Sequence, residues 1–210
     1  MKKFMITMGF ILLSISMGFS QIKYTEIKAG LLKPADAKAG FLGGLQFGRA
    51  VDESIGIGLE LGVYHKNFNK EEKVDSSVAA GLPTTTIIRT FEQNTWLFPL
   101  FFNIQYLGQI TKGLHMKVSA GLGYEFLWAN YRDFKSRAEK GYFFSGFAWN
   151  VGAGVSLPVG RASDLFAEVI YHGGKPSKSE KDINGFPART EVNMNGLGIR
   201  IGVRLYKFGF

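Results

Sequence analysis

Apolar residues alternate with small or charged residues along most of this chain. Every even position from Trp96 to Tyr106 is apolar or aromatic, and so is every even position from Leu114 to Trp128. The odd positions from Leu197 to Leu205 repeat the pattern near the end. A period of two is typical of β-strands with one apolar face, because successive side chains point to opposite faces. We therefore predict an all-β protein.

The alternating segments divide into eight predicted strands. Tight turns and mostly longer polar segments alternate between them, with tight turns at 52–54, 108–113 and 160–163. An even number of strands with this asymmetry of connections is typical of outer-membrane barrels. The predicted strands cover residues 22–31, 37–50, 55–68, 85–107, 114–131, 142–158, 164–172 and 191–206. Pro99 lies inside the fourth strand and forfeits a ladder hydrogen bond, so we predict a β-bulge there.

A soluble barrel or sandwich gives the same alternation with its apolar face turned inward. Strand length favours the membrane, because strands of soluble proteins usually have about 3–10 residues. Trp96 and Tyr106 share one face and lie about 23 Å apart along the membrane normal for a strand tilted by about 45°. That distance matches the two aromatic girdles that border an apolar band about 25 Å tall. Further girdle candidates are Trp128, Trp149 and Tyr171.

The first twenty residues have the pattern of an export signal. Two lysines precede the mostly apolar stretch Phe4–Ile15, and the small residues Gly18 and Ser20 follow it. We predict a cleaved signal peptide over residues 1–20 and one barrel domain over residues 21–210. A buried N-terminal helix is the alternative. Cleavage would remove both lysines and lower the net charge from +8 to +6.

The chain resembles the small outer-membrane β-barrel family of the OmpA-like and OmpX-like kind. The resemblance rests on size, strand number and the stretch Trp96–Leu100, and it extends over residues 22–210. The final Phe210 is similar to the terminal aromatic that the barrel-assembly machinery reads in such proteins. The resemblance implies an eight-stranded antiparallel up-and-down transmembrane β-barrel in the bacterial outer membrane, in contact with lipid and lipopolysaccharide. It implies little about activity.

If the apolar face meets lipid, the charged and small residues line the lumen. Eight strands enclose a space that side chains fill, and unpaired buried charges are costly. We therefore predict an ion-paired network that plugs the lumen. A narrow ion path lined by the same charges is the alternative, whereas a general diffusion porin needs about 16–18 strands. The predicted network consists of Glu60, Lys117, Glu125, Glu168, Arg200 and Arg204.

Two of the longer loops are basic. The segments 132–141 and 173–190 each have a net charge of +2. Basic rims suit the phosphates of lipopolysaccharide or an acidic surface polymer, and ordinary solvated loops are the alternative. We expect a structural or adhesive role, or binding of an unknown surface ligand, through these loops. The predicted basic patch consists of Arg132, Lys135, Arg137, Lys140, Lys175, Lys178 and Lys181.

Few residues suit catalysis or metal binding. The chain has no Cys, which excludes thiolate ligands and thiol nucleophiles. None of His65, His115 and His172 has a Ser two positions later, as the lipid A deacylases of the outer membrane require. We predict no catalytic residue, cofactor or metal, with a lipid A-modifying enzyme as the alternative. The spread of charge and the lack of a G-x-G-x-x-G before a helix argue against nucleic acid and nucleotides.

Overall fold

Ten β-strands form the secondary structure of the described part of the chain. The computed structural model describes residues 22–35, 38–79, 82–134, 138–183 and 186–206, without the side chains of 70–91 and 181–187. The strands are β1 (Lys23–Pro34), β2 (Gly40–Ala50), β3 (Ile55–Ala79), β4 (Leu82–Thr111), β5 (Leu114–Asp133), β6 (Ala138–Val159), β7 (Ser163–Gly174), β8 (Ser177–Ile183), β9 (Phe186–Glu191) and β10 (Gly196–Tyr206). The predicted signal peptide and Phe210 lie outside these residues. Within them, no helix is long and apolar enough to span a membrane.

Eight of the ten strands close into a barrel. From β1 to β7 each strand pairs antiparallel with the next one in the chain. β10 closes the barrel by pairing with both β7 and β1. β8 and β9 form a hairpin between β7 and β10 and reach the wall at the pair Ser145 and Ser177. The prediction of a closed eight-stranded antiparallel barrel is confirmed.

The tight turns all lie at one end of the barrel, which we call the turn end. Gly113 and Gly160 there have φ angles of 90° and 72°, in the left-handed region that glycine adopts without a steric penalty. The opposite end, which we call the loop end, carries the connections after β1, β3, β5 and β7. The barrel therefore has one short, closed rim and one elaborate rim.

The polar segment 69–83 lies between the predicted strands 55–68 and 85–107, but it is mostly paired strand. β3 and β4 stay paired up to Ala79 and Leu82, with register shifts near Glu71 and Asp75. β4 pairs with β5 only as far as Phe91 opposite Asp133, so the hairpin projects beyond the barrel wall. A run of Thr and Ile at 84–88 favours strand, because β-branched residues fit a pleated surface.

The last barrel strand begins later than predicted, at Gly196. Residues 192–195 do not continue the ladder. Instead, the N–H of Val192 donates to the carbonyl of Pro176 at 3.0 Å, and that of Met194 donates to the carbonyl of Gly174 at 3.0 Å. The polarity of residues 173–190 predicts a single loop, but the structure has the β8–β9 hairpin there. Residues 192–195 follow the hairpin as an inward-folded segment in the lumen.

The predicted bulge at Pro99 is wrong. Leu61 pairs with Leu100 and Tyr64 with Leu97 in one unbroken register, and β4 keeps its register with β5 through Pro99 and Glu125. The ring of Pro99 lies against Gly62, where a Cβ would come within 2.6 Å of Pro99 Cγ. The glycine accommodates the ring, so the pairing with β3 is interrupted at this point without a shift of register.

The alternation directs apolar side chains outward and polar ones inward. Leu122, Phe147 and Ile201 are 61–66% exposed on the outer wall, whereas Lys117 and Glu26 are at most 1% exposed in the lumen. A soluble protein buries its large apolar residues, but a transmembrane barrel presents them to lipid. The distribution is that of a transmembrane barrel.

Candidate functional site

Six charged side chains of alternating sign form a closed circuit across the lumen, which we call the charge ring. In order around it they are Glu26, Lys28, Glu60, Arg200, Glu168 and Lys117, all buried. The ammonium of Lys28 lies 3.2 Å from Glu26 and 2.7 Å from Glu60. Arg200 Nη1 lies 2.7 Å from Glu60, and Arg200 Nε donates to Glu168. Lys117 completes the circuit at 3.7 Å from Glu168 and 3.0 Å from Glu26.

The contact between Lys117 and Glu26 joins opposite walls of the barrel. β1 and β5 are four strands apart in a closed ring of eight, so this contact of 3.0 Å crosses the full width of the lumen. The Lys117 ammonium also lies 3.3 Å from the centre of the Phe166 ring on β7, a cation–π contact. Side chains from five different strands therefore meet in one cross-section.

Further polar side chains surround Glu26 on the turn-end side of the charge ring. Arg204 donates to Glu26 Oε1 from Nε at 2.8 Å and from Nη2 at 2.6 Å. Its guanidinium lies 4.7 Å from the centre of the Tyr24 ring. Gln105 donates to the Tyr24 hydroxyl, and the Tyr206 hydroxyl donates to Asp164 at 2.5 Å. These bonds satisfy groups that would be costly to bury alone.

A carboxylate–imidazole pair and an apolar cluster lie on the loop-end side. Glu125 Oε2 is 2.9 Å from His172 Nε2, and both side chains are buried. Beyond them is a cluster of buried apolar side chains, which we call the apolar cap: Leu32, Tyr64, Leu97, Leu127, Phe144 and Met194. Met194 comes from the inward-folded segment rather than from a strand. The lumen thus contains a charged layer and an apolar layer in series.

Five of the six lumen residues predicted from the sequence lie in or beside the charge ring. Glu125 does not, because its position on β5 places it nearer the loop end, where His172 is its partner. Sequence reasoning missed Glu26 and Lys28. The available signal was the alternation in β1, where Ile27, Ala29 and Leu31 face outward and the residues between them face inward.

The predicted basic patch is partly neutralised. Arg132 Nη2 lies 2.9 Å from Glu139 Oε2, and Lys178 Nζ lies 3.5 Å from Glu180 Oε1. Lys140 and Lys175 are exposed. Lys135, Arg137 and the side chain of Lys181 lie outside the described residues.

The histidines are dispersed. His65 stacks on Trp96 on the outer wall with ring centres 4.0 Å apart, and His115 lies near the turn end opposite Ser156. Among the described residues, no group of three His, Asp or Glu side chains could hold a metal ion. Within the described part of the chain, Glu125 and His172 form the one imidazole–carboxylate pair.

A closed wall of eight strands, an apolar exterior and a polar interior define a transmembrane β-barrel. No model of a known protein family matches the chain, and no curated protein matches it. A major outer membrane protein from Thermus thermophilus has a similar structure, with a TM-score of 0.55 and 14% identity over 88% of this chain and 99% of that one. The outer membrane protein OprG from Pseudomonas aeruginosa has a TM-score of 0.50 and 15% identity over 92% and 99%. The fold is that of the small outer-membrane barrels.

Proposed function

We propose that this chain is an outer-membrane barrel whose lumen is closed to ions and solutes, and whose role is structural, adhesive or one of surface binding at the loop end. The observation that carries the proposal is the contact between Lys117 and Glu26 across the lumen. An ion could pass only if buried partners separated. Breaking a buried pair by removing one partner costs about 3–5 kcal/mol, so such opening would be rare.

The apolar cap is a second barrier in series with the charge ring. Met194 is fully buried in it, and the backbone of its segment is fixed on both sides. Asn195 accepts a hydrogen bond from the Gly174 N–H at 2.8 Å through its side chain, and its carbonyl accepts one from Ala35 at 2.7 Å. Even if the charge ring rearranged, a dehydrated apolar layer would still oppose ion entry.

The outer wall supports a location in the outer membrane. Trp96, Trp128 and Trp149 lie on the lipid-facing side of their strands, each 37–42% exposed, as residues of aromatic girdles do. We propose that residues 1–20 direct the export of the chain and are then cleaved. The barrel-assembly machinery then inserts the chain into the outer membrane, where lipid surrounds it. Fractionated membranes would then contain it in the outer-membrane fraction, with different gel mobility before and after boiling.

The loop end supports the surface role. The β3–β4 hairpin projects beyond the last pair with β5, which gives an extended surface away from the wall. The exposed Lys140 and Lys175 suit the phosphates of lipopolysaccharide. Binding to lipopolysaccharide-containing vesicles should therefore weaken when both lysines are replaced by Gln and when the ionic strength rises. Equal binding by the double variant would contradict this part of the proposal.

Conductance in planar bilayers tests the closed lumen. The wild-type chain should add no discrete current steps to the bilayer. A variant with Glu26→Ala, Lys117→Ala and Met194→Gly should conduct, because it removes the contact across the lumen and opens the apolar cap. It also shows that the assay detects an open barrel of this size. Regular steps from the folded wild-type protein would favour the narrow channel instead.

We propose no enzymatic activity. The Glu125–His172 pair is buried between the charge ring and the apolar cap, where a lipid substrate would not reach it. In the described part of the chain, neither His65 nor His115 has a hydrogen-bonded Ser or carboxylate partner. Mass spectrometry of lipid A from cells with and without the protein should give identical spectra, and a new acylation state would contradict the proposal.

A further inference from the structure

A cavity of about 480 Å³ opens at the loop end, above the apolar cap. Its floor is formed by Tyr64, Leu127 and Met194, three buried members of the cap. Phe68 and Ala129 contribute to its walls. Small-molecule sites have volumes of about 300–1,000 Å³ and mostly apolar linings with a few polar groups. The cavity has the size and the lining of a small-molecule site.

Two lysines line this cavity, and none of the described residues that line it is acidic. They are Lys38, in the connection between β1 and β2, and Lys66 on β3. Among the side chains that the structure describes, none offers either lysine a carboxylate within 4 Å, unlike Lys28 and Lys117 in the charge ring. The Lys38 ammonium lies 4.8 Å from the centre of the Phe68 ring. The described part of the mouth therefore combines an apolar floor with two positively charged residues.

Hydrogen bonds hold the backbone of the rim and of the floor of the cavity in place. The Tyr64 hydroxyl donates to the backbone carbonyl of Lys38 at 3.1 Å and fixes this residue at the rim. The Met194 N–H donates to the Gly174 carbonyl at 3.0 Å and fixes the floor. A preorganised site loses less conformational entropy on binding.

We propose that this cavity binds a small amphipathic carboxylate. The apolar body of the ligand packs on Tyr64, Leu127 and Met194, and its carboxylate accepts hydrogen bonds from Lys38 and Lys66. A neutral apolar molecule would leave both ammonium groups without a partner, and a sugar would place hydroxyl groups on an apolar floor. This site goes beyond the closed lumen, because it depends on the loop end alone and would exist whether or not ions pass through the barrel.

Methionine-methyl NMR of the full chain in lipid nanodiscs tests the site. The probe is 2-naphthoate, and its uncharged counterpart 2-naphthamide is the control ligand. Met194 reports on the floor of the cavity, whereas Met116 on the outer wall is 42% exposed and reports on the lipid. We expect 2-naphthoate to shift the Met194 resonance saturably, with Met116 unchanged, and to bind at least about tenfold more tightly than the amide, since charge-assisted hydrogen bonds are the stronger kind.

Variants separate the charge from the cavity. Lys38→Gln with Lys66→Gln should weaken 2-naphthoate at least about tenfold. Lys112→Gln with Arg161→Gln, an equal loss of two charges at the turn end, should not change its affinity. Ala129→Phe should abolish binding by filling the cavity. If the Lys38/Lys66 double variant does not fold, as judged by loss of its heat-modifiable gel mobility, Ala129→Phe is the variant that tests the site. Equal affinity for the amide, an unmoved Met194 resonance or joint shifts of both methionines would overturn the proposal. Full binding by the folded Lys38/Lys66 double variant or by Ala129→Phe would also overturn it.

Discussion

Replacing Glu26 by Gln should destabilise the barrel more than most single substitutions. Glu26 is fully buried and touches three cations, at 3.2 Å from Lys28, 3.0 Å from Lys117 and 2.6 Å from Arg204. Gln has the same size and keeps an oxygen acceptor, so the substitution removes the charge with little change in packing. The expected effect is therefore electrostatic rather than steric.

The size of the loss in unfolding free energy depends on which carboxylate partners the three cations keep after Glu26→Gln. Lys28 keeps Glu60 at 2.7 Å, and Lys117 keeps Glu168 at 3.7 Å. Arg204 loses the carboxylate to which it donates twice. One buried cation is thus left largely uncompensated, which corresponds to about 3–5 kcal/mol rather than to three times that amount. Folded domains have only about 5–15 kcal/mol of stability in total.

Equilibrium unfolding in urea, with the protein in lipid vesicles and gel mobility as the readout, measures this loss. Glu53→Gln, in an exposed turn, removes the same charge and should change the free energy of unfolding by less than about 0.5 kcal/mol. Adding Lys117→Met to Glu26→Gln should cost less than the sum of the two single substitutions, because contacting residues couple by about 0.5–3 kcal/mol. If E26Q unfolded at the same urea concentration as E53Q, the argument from buried charge would be wrong.

Three further substitutions can be measured in the same unfolding assay. Leu122→Arg places a charge on the lipid-facing wall, where the native side chain is 61% exposed. It should lower the free energy of unfolding by about 2–4 kcal/mol if the residue is near the bilayer midplane. A loss below about 0.5 kcal/mol would place this residue outside the lipid. Gly174→Val brings a Cβ against the Glu125 carboxylate and should destabilise through loss of the contact with His172, whereas unchanged stability would mean that the carboxylate can move freely. Arg132→Ala breaks an exposed ion pair and should cost at most about 1 kcal/mol, so a larger loss would show that this rim pair is structural.

The outer wall was predictable because lipid imposes one rule on every strand. An outward residue must be apolar, and a period of two then reveals both the strand and its face. The same rule would have found Glu26 if it had been applied to the first strand, where the apolar residues Ile27, Ala29 and Leu31 face outward. The polar residues Lys23 and Thr25 at outward positions near the start of this strand obscured the pattern.

The interior was less predictable because no single rule governs it. Leu97, Phe101 and Leu127 face the lumen, although most other inward positions of their strands are polar or small. Met194 enters the apolar cap from an irregular segment that has no periodicity. The placement of Pro99 without a bulge depends on Gly62 across the strand pair. Each of these features depends on contacts between residues that are distant in the chain, and local sequence patterns do not predict such contacts.

The lipid-facing assignment of the outer wall is the claim on which the account depends, and the tryptophans test it directly. All three, Trp96, Trp128 and Trp149, lie on the outer wall. In vesicles of lipids brominated along the acyl chain, the account predicts strong quenching of their fluorescence and little quenching by aqueous iodide. Efficient quenching by iodide, with none by brominated lipid, would contradict the lipid-facing assignment. The apolar outer wall would then not be in contact with lipid.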